Sequence, residues 1–198
     1  MMYRYDIINH FIKKFGYKSY LEIGVASGET IRAVQCETKD GVDSSLTSPE
    51  VNYHMTSDEF FKLHSDKTYD IIFIDGMHDS EYVCRDMNNA LDRINENGTI
   101  VMHDCLPETE IRSVKLQYRI TSEWNGDGFK VVHAVVENYT NDLDCRVFNT
   151  DHGVGVVRRK HRNPVVISYD ENYSWKEMFS NPKTTINLTS PDKLSEVI

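Results

Sequence analysis

The spacing of apolar positions along the chain switches between two periods. Ile7, Ile8, Phe11, Ile12 and Phe15 recur at helical spacing, which predicts an opening amphipathic helix that stops near Gly16. Tyr20 to Ile23 reads as an apolar strand that runs into the glycine-bearing loop Gly24-Val25-Ala26-Ser27-Gly28, with a helix beginning near Glu29. Thr30 to Val34 fits that helix, and the segment around Gly41-Val42-Asp43 fits a short second strand closed by Asp43. Ser57 to Leu63 fits a further helix capped by Ser57 or Asp58.

The strongest strand signal is Ile71 to Ile74, a short, continuous, β-branched run suited to a parallel strand covered on both faces, and Asp75 stands where it ends. From Asp79 to Ile94, the positions Tyr82, Val83, Met87, Ala90, Leu91 and Ile94 keep a helical period. Asn97-Gly98 then turns the chain into a strand from Thr99 to Met102, which ends at His103-Asp104. Phe129 to Val136 reads as a helix, and Cys145 to Phe148 with Val154 to Val157 as an antiparallel hairpin. This alternation predicts an α/β fold: a doubly wound, Rossmann-like sheet of about seven strands with helices on both faces. The sheet would be mostly parallel, with an antiparallel strand from the C-terminal hairpin near its edge. Residues 1–162 would form that domain. Residues 163–198 carry Pro164, Pro182 and Pro191 among Tyr169, Tyr173, Trp175 and Phe179, and read as an irregular aromatic tail packed on the same domain or on a partner copy.

Composition narrows the function classes. A chain of 198 residues suits one domain with a full core. Its formal net charge of −9, with no basic run longer than Arg158-Arg159-Lys160, argues against a phosphate-backbone partner. No stretch approaches the length of a membrane-spanning helix and the N-terminus lacks an apolar signal core, so a cytoplasmic protein without membrane insertion is expected. Cys36, Cys84, Cys105 and Cys145 form no CxxC pair and read as reduced structural thiols.

Ligands of open α/β sheets bind beyond the carboxyl ends of the strands, where Gly24 to Gly28, Asp43, Asp75 and His103-Asp104 would gather. A pyrophosphate needs a Gly-x-Gly-x-x-Gly backbone cradle, and here Ala26 holds the middle position. A cationic sulfonium with an amino-acid tail suits an acidic residue such as Glu22 near the loop. Asp43, about 20 residues beyond the loop, can accept from both hydroxyls of a ribose, although a solvated turn also favours Asp. His78 fits either a general base or a cap on the helix that follows. His103-Asp104 ends a buried strand in two ionisable groups whose desolvation calls for a function. The segment Trp124 to Lys130 offers an indole, an amide, a carboxylate and an ammonium for sugar recognition, or a Gly-rich turn around a core Trp.

Glu22-x-Gly24-x-x-x-Gly28 resembles motif I of the class I S-adenosylmethionine-dependent methyltransferases. Phe73-Ile-Asp-Gly-Met-His78, Tyr82, Asp86 and Gly98-Thr-Ile-Val-Met-His-Asp104 resemble the small O-methyltransferases found with glycan-assembly enzymes, including macrolide-sugar O-methyltransferases. The resemblance implies S-adenosylmethionine held by Glu22, Gly24, Ala26, Ser27, Gly28, Asp43, Ser57 and Asp75. It implies methyl transfer to a sugar hydroxyl of a glycan or nucleotide-activated sugar contacted by Trp124, Asn125, Asp127 and Lys130. His78 would be the base, with Asp75, His103 and Asp104 orienting the hydroxyl and His103 the rival base.

In such relatives the residues matching Asp75 and His103-Asp104 hold a divalent metal. His103 stands where a carboxylate is usual, so a site of Asp75, His103 and Asp104 would favour Mn²⁺ over Mg²⁺. The resemblance also allows a homodimer and association with glycosyltransferases. Three alternatives stay open: a metal-dependent O-methyltransferase of a small phenol, a dinucleotide oxidoreductase, which Ala26 disfavours, and a non-catalytic partner domain of a glycan enzyme.

Overall fold

The computed structural model describes residues 2–197, so Met1 and Ile198, the outer ends of the two stretches expected above, lie outside the described residues. One sheet of eight strands organises the chain: β1 (Ser19–Ile23), β2 (Thr38–Asp43), β3 (Tyr53–His54), β4 (Tyr69–Ile74), β5 (Ile94–Met102), β6 (Leu143–Phe148), β7 (Val154–Arg159) and β8 (Leu188–Thr189). They lie in the order β3-β2-β1-β4-β5-β7-β6-β8. The sheet is parallel except for β7, which pairs antiparallel with β5 on one side and β6 on the other.

The uninterrupted apolar run of β4 is explained by cover on both faces. Ile71 and Phe73 pack with Ile7, Ile8 and Phe11 of α1 (Arg4–Phe15) and Ile31 of α2 (Glu29–Ala33). Ile72 and Ile74 point the other way, into a core with Phe60 of α3 (Ser57–Leu63), Met87 of α4 (Ser80–Arg93) and Val131 of α5 (Phe129–Asn138). The strand period of two thus feeds two cores. The parallel strands release their chain ends on one edge, and that edge carries the site.

Several local expectations are corrected. The N-cap of α3 is Thr56, not Ser57 or Asp58, because Thr56 and Glu59 close a reciprocal capping box that neither alternative could form. His78 caps nothing: the N-cap of α4 is Asp79, and the Ser80 amide donates to Asp127 Oδ1 at 2.6 Å. Asn97-Gly98 does not start a strand but lies within β5, where Asn97 takes φ 61°. The antiparallel strand β7 is interior, and the sheet has eight strands because the tail adds one.

That tail is not irregular. It forms α6 (Trp175–Ser180), α7 (Pro182–Thr185) and β8, which pairs parallel with β6 and so satisfies backbone groups on an edge that would otherwise be open. Met178 and Ile186 join one core, Leu194 and Val197 join the other, and the Trp175 indole donates to the Pro107 carbonyl at 2.8 Å. The tail packs on its own sheet.

Candidate active site

The glycine loop is held by geometry that only glycine permits at its first position. Gly24 takes φ +86°, and a Cβ there would overlap the Asp75 carbonyl. Gly24 donates to the Val42 carbonyl at 2.9 Å and Asp75 donates to the Ile23 carbonyl at 2.8 Å, so the ends of β1, β2 and β4 are pinned together. Asp43 ties the loop to β2: Oδ2 accepts from the Ala26 amide at 2.9 Å and Oδ1 from the Ser45 amide at 2.8 Å.

Above this junction opens a cavity of about 450 Å³, lined by Gly24, Ala26, Asp43, Ser57, Asp75 and Asp86 among others. Five of the residues expected to hold a cofactor therefore share one wall. Glu22, Ser27 and Gly28 do not line it. Glu22 is 1% exposed and accepts from the Tyr20 hydroxyl at 2.5 Å beneath the loop, and burial pushes its carboxyl up to about 8. Two wider clefts, about 660 and 710 Å³, lie around Asn97 and Arg159 at the opposite end of the sheet. They are far from the carboxyl ends where ligands of this architecture bind.

Beside the cavity, the ends of β4 and β5 bring four ionisable side chains together. His78 places Nε2 3.6 Å from Asp75 Oδ1 and Nδ1 3.1 Å from Asp104 Oδ2. His103 places Nδ1 3.2 Å from Asp75 Oδ1 and 3.4 Å from Asp104 Oδ2, while its Nε2 faces Asp151 Oδ2 at 3.6 Å. Burial alone would lower the pKa of His103, but the Asp75, Asp104 and Asp151 carboxylates outweigh it and raise it well above its ordinary value. Burial would likewise lower His78, and Asp75 and Asp104 raise it instead. Asp75 resists the upward push of burial because the two imidazoles hold its carboxylate ionised.

Both His103 nitrogens thus face carboxylates, although Nε2 makes no hydrogen bond among the described residues. A carboxylate on each side of the ring favours its protonated form. The atoms that do converge for an ion belong to Asp75, His78 and Asp104, one ligand atom from each lying within 4.8 Å of the others. Two carboxylate oxygens and an imidazole nitrogen suit a divalent cation, and His78 Nδ1 is buried without a hydrogen-bond partner. The residues present fit such an ion.

The segment from Trp124 to Lys130 packs against the ionisable cluster. The indole stacks on His78 with ring centres 5.0 Å apart, and Arg119 lies over the ring at 5.5 Å. Its N–H donates to the Val114 carbonyl at 2.6 Å. With His78 and Arg119 against it and its N–H bonded, Trp124 supports the histidine. Asp127 is likewise occupied, accepting from the Ser80 amide and hydroxyl and pairing with Lys130 at 3.1 Å. Asn125 alone keeps a functional group in reserve: Nδ2 donates to Asp104 Oδ1 at 2.5 Å, while Oδ1 is buried without a partner.

Two contributors had no signal in the sequence. Arg4 donates from its guanidinium to Asp151 at 3.0 Å and Thr30 at 2.9 Å, and its Nε lies 3.8 Å from Asp75. Asp151, in the turn between β6 and β7, holds both Arg4 and His103. Only the folded sheet brings these positions together, across 147 residues of sequence.

Residues 49–105, from before β3 to just past Asp104, match the family model described as Methyltransferase domain. No curated protein sequence matches the chain. Among solved structures, the chain is similar to an O-methyltransferase from Bacillus cereus in complex with SAH, with a TM-score of 0.57 and 14% identity over 78% of this chain and 80% of that one. It is similar to the O-methyltransferase TomG from Streptomyces achromogenes, involved in tomaymycin synthesis and bound to SAM, with a TM-score of 0.57 and 11% identity over 80% of each chain. It is also similar to the MycE methyltransferase of mycinamycin biosynthesis, in complex with Mg and SAH, with a TM-score of 0.50 and 13% identity over 78% of this chain and 48% of that one. With a strand order that places the glycine loop, Asp43 and Asp75 around one cavity, the chain has the Rossmann-like α/β fold of the methyltransferases.

Proposed function

We propose that this protein is an S-adenosylmethionine-dependent O-methyltransferase whose acceptor is a sugar hydroxyl of a glycan or activated sugar. The observation that carries the reading is the junction of the cavity walled by Gly24, Ala26 and Asp43 with the His78 ring set between Asp75 and Asp104. SAM or SAH in the similar structures supports the cofactor. The acceptor oxygen attacks the sulfonium methyl carbon as the carbon–sulfur bond breaks, its electron pair passing to sulfur to give S-adenosylhomocysteine. The hydroxyl proton passes to His78, and the flanking carboxylates stabilise the imidazolium that forms. Trp124 fixes the ring plane, and His103 with Arg4 keeps Asp75 and Asp151 ionised and in place.

Were a divalent ion held by Asp75, His78 and Asp104, it would lower the pKa of the acceptor hydroxyl in place of a base at His78. The sugar class rests on the resemblance across Phe73 to Asp104 and on the free, buried Asn125 Oδ1, which suits a hydroxyl donor. A second reading, a phenolic acceptor, is favoured by one observation: Ile111, Leu116, Tyr118 and Ile120 are exposed in the segment before Trp124. Incubation with S-adenosylmethionine and panels of both acceptor classes, read by mass shift, separates the two.

The cofactor assignment makes its own prediction. Asp43→Ala is expected to weaken S-adenosylhomocysteine binding roughly tenfold to a hundredfold in isothermal titration, because hydrogen bonds to a charged acceptor are worth about 1.5–3 kcal/mol. Unchanged affinity would move the ribose elsewhere in the cavity.

A further inference from the structure

The basic run that ends β7 has no task in the scheme above, and it lines the two clefts at the end of the sheet opposite the candidate active site. Arg158 and Arg159 wall one cleft together with Tyr17 and Lys18, and Arg159, Lys160 and Arg162 wall the other. The clefts share Asn97 and Arg159, and their volumes of about 710 and 660 Å³ suit a small molecule. In a chain with a formal net charge of −9, this end stands apart.

Positive charge here is held in place but not neutralised. Arg158 lies over the Phe15 ring at 4.2 Å and donates from Nη2 to the Asn97 carbonyl at 2.8 Å. Arg159 donates from Nη1 to the Asn163 carbonyl at 2.6 Å and from Nη2 to the Leu91 carbonyl at 3.0 Å. Neither guanidinium pairs with a carboxylate among the described residues, and a neutral main-chain oxygen orients a charge without cancelling it. The acids nearby are engaged. Asp70 accepts from the Lys18 and Ser19 amides and from Asn95, and Glu96 pairs with Arg162. Of the acids in the walls, Asp92 alone is left, among the described residues, to oppose Arg158, Arg159 and Lys160.

We propose that the joined clefts bind a soluble phosphate-bearing ligand, a phosphate monoester or diphosphate held by the Arg158 and Arg159 guanidinium groups. A guanidinium presents forked donors that match phosphate oxygens, and two of them fixed before binding lower the cost of ordering the site. Among the described residues, none of the exposed large apolar side chains lines either cleft, so this surface offers nothing to enter a lipid layer and suits a soluble ligand. The site lies at the other end of β4 and β5 from Asp75, His78 and Asp104, and the inference does not rest on the reading of the cofactor cavity.

The test is isothermal titration of the full chain with inorganic pyrophosphate at low ionic strength, where exposed charge is least screened. Saturable binding is expected in the wild-type protein. Arg158→Gln and Arg159→Gln are each expected to weaken it roughly tenfold to a hundredfold, the range for hydrogen bonds to a charged group. No binding by the wild-type protein, or unchanged affinity in either variant, overturns the proposal. Should the variants not fold, hydrogen exchange in the wild-type protein decides. Pyrophosphate is expected to slow amide exchange around Glu96 to Gly98 and Arg158 to Arg162. Protection confined to the loop from Gly24 to Gly28 would place the anion in the other cavity and overturn the proposal.

Discussion

His78→Ala is expected to lower kcat by about 10²–10⁴-fold while S-adenosylhomocysteine still binds, because a positioned general base contributes that much to proton removal and the ring makes only one edge of the cavity. The pH profile carries the sign. Asp75 and Asp104 raise the pKa of His78 above its ordinary value, so the neutral, base-competent ring predominates only at higher pH, and the ascending limb of kcat lies alkaline of about 6.5. His103 adds a positive charge that opposes this rise, so His103→Asn is expected to move the limb further alkaline, whereas His78→Ala abolishes it. With His78 as the base and no ion required for proton removal, the rate is expected to survive chelation. Activity that vanishes with a chelator and returns with Mn²⁺ would instead make His78 a ligand and overturn its role as base.

Gly24→Ala is expected to destabilise the fold by about 2–6 kcal/mol and to abolish cofactor binding. The left-handed backbone and the overlap with a backbone carbonyl each cost about 1–3 kcal/mol, and neither can be relieved by rotating a side chain. In a chain of this size that lowers Tm by roughly 4–24 °C in thermal unfolding. Gly16→Ala is the control: it also has positive φ, 68°, but nothing lies within 4 Å of its Cβ, so only the backbone strain remains. Equal losses in the two variants would show that contact between the β1 and β4 loops contributes nothing.

The parts legible in the sequence were those where local pattern and tertiary role coincide. The run Ile71 to Ile74 announced a strand covered on both faces, and Asp75, His78 and Asp104 stood at strand ends that parallel topology brings together. Patterning failed where the deciding partner was remote. The carboxylates that raise the pKa of His103 include Asp151, a turn residue with nothing in its surroundings to mark it. Trp124 and Asp127 had the right chemistry for a sugar, but their polar groups were claimed by Val114 and Ser80, contacts that spacing does not encode. The tail misled for a third reason: its prolines break periodicity, yet an unpaired edge at β6 gives two residues of strand enough to pair with.

The interior place of β7 bears on how this chain matures during synthesis. A ribosome delivers β5 some fifty residues before its partner, since Ile100 to Met102 pair with Gly155 to Val157. Until the later hairpin arrives, a nascent chain presents β5 as an open, apolar edge, the feature most prone to pairing with the wrong neighbour. The same hairpin brings Asp151 to His103 and Arg4, so the charge cluster closes with its docking. Fragments ending before the hairpin would therefore combine an aggregation-prone edge with an incomplete centre, and yield of soluble protein should fall sharply for chains cut short of Val154.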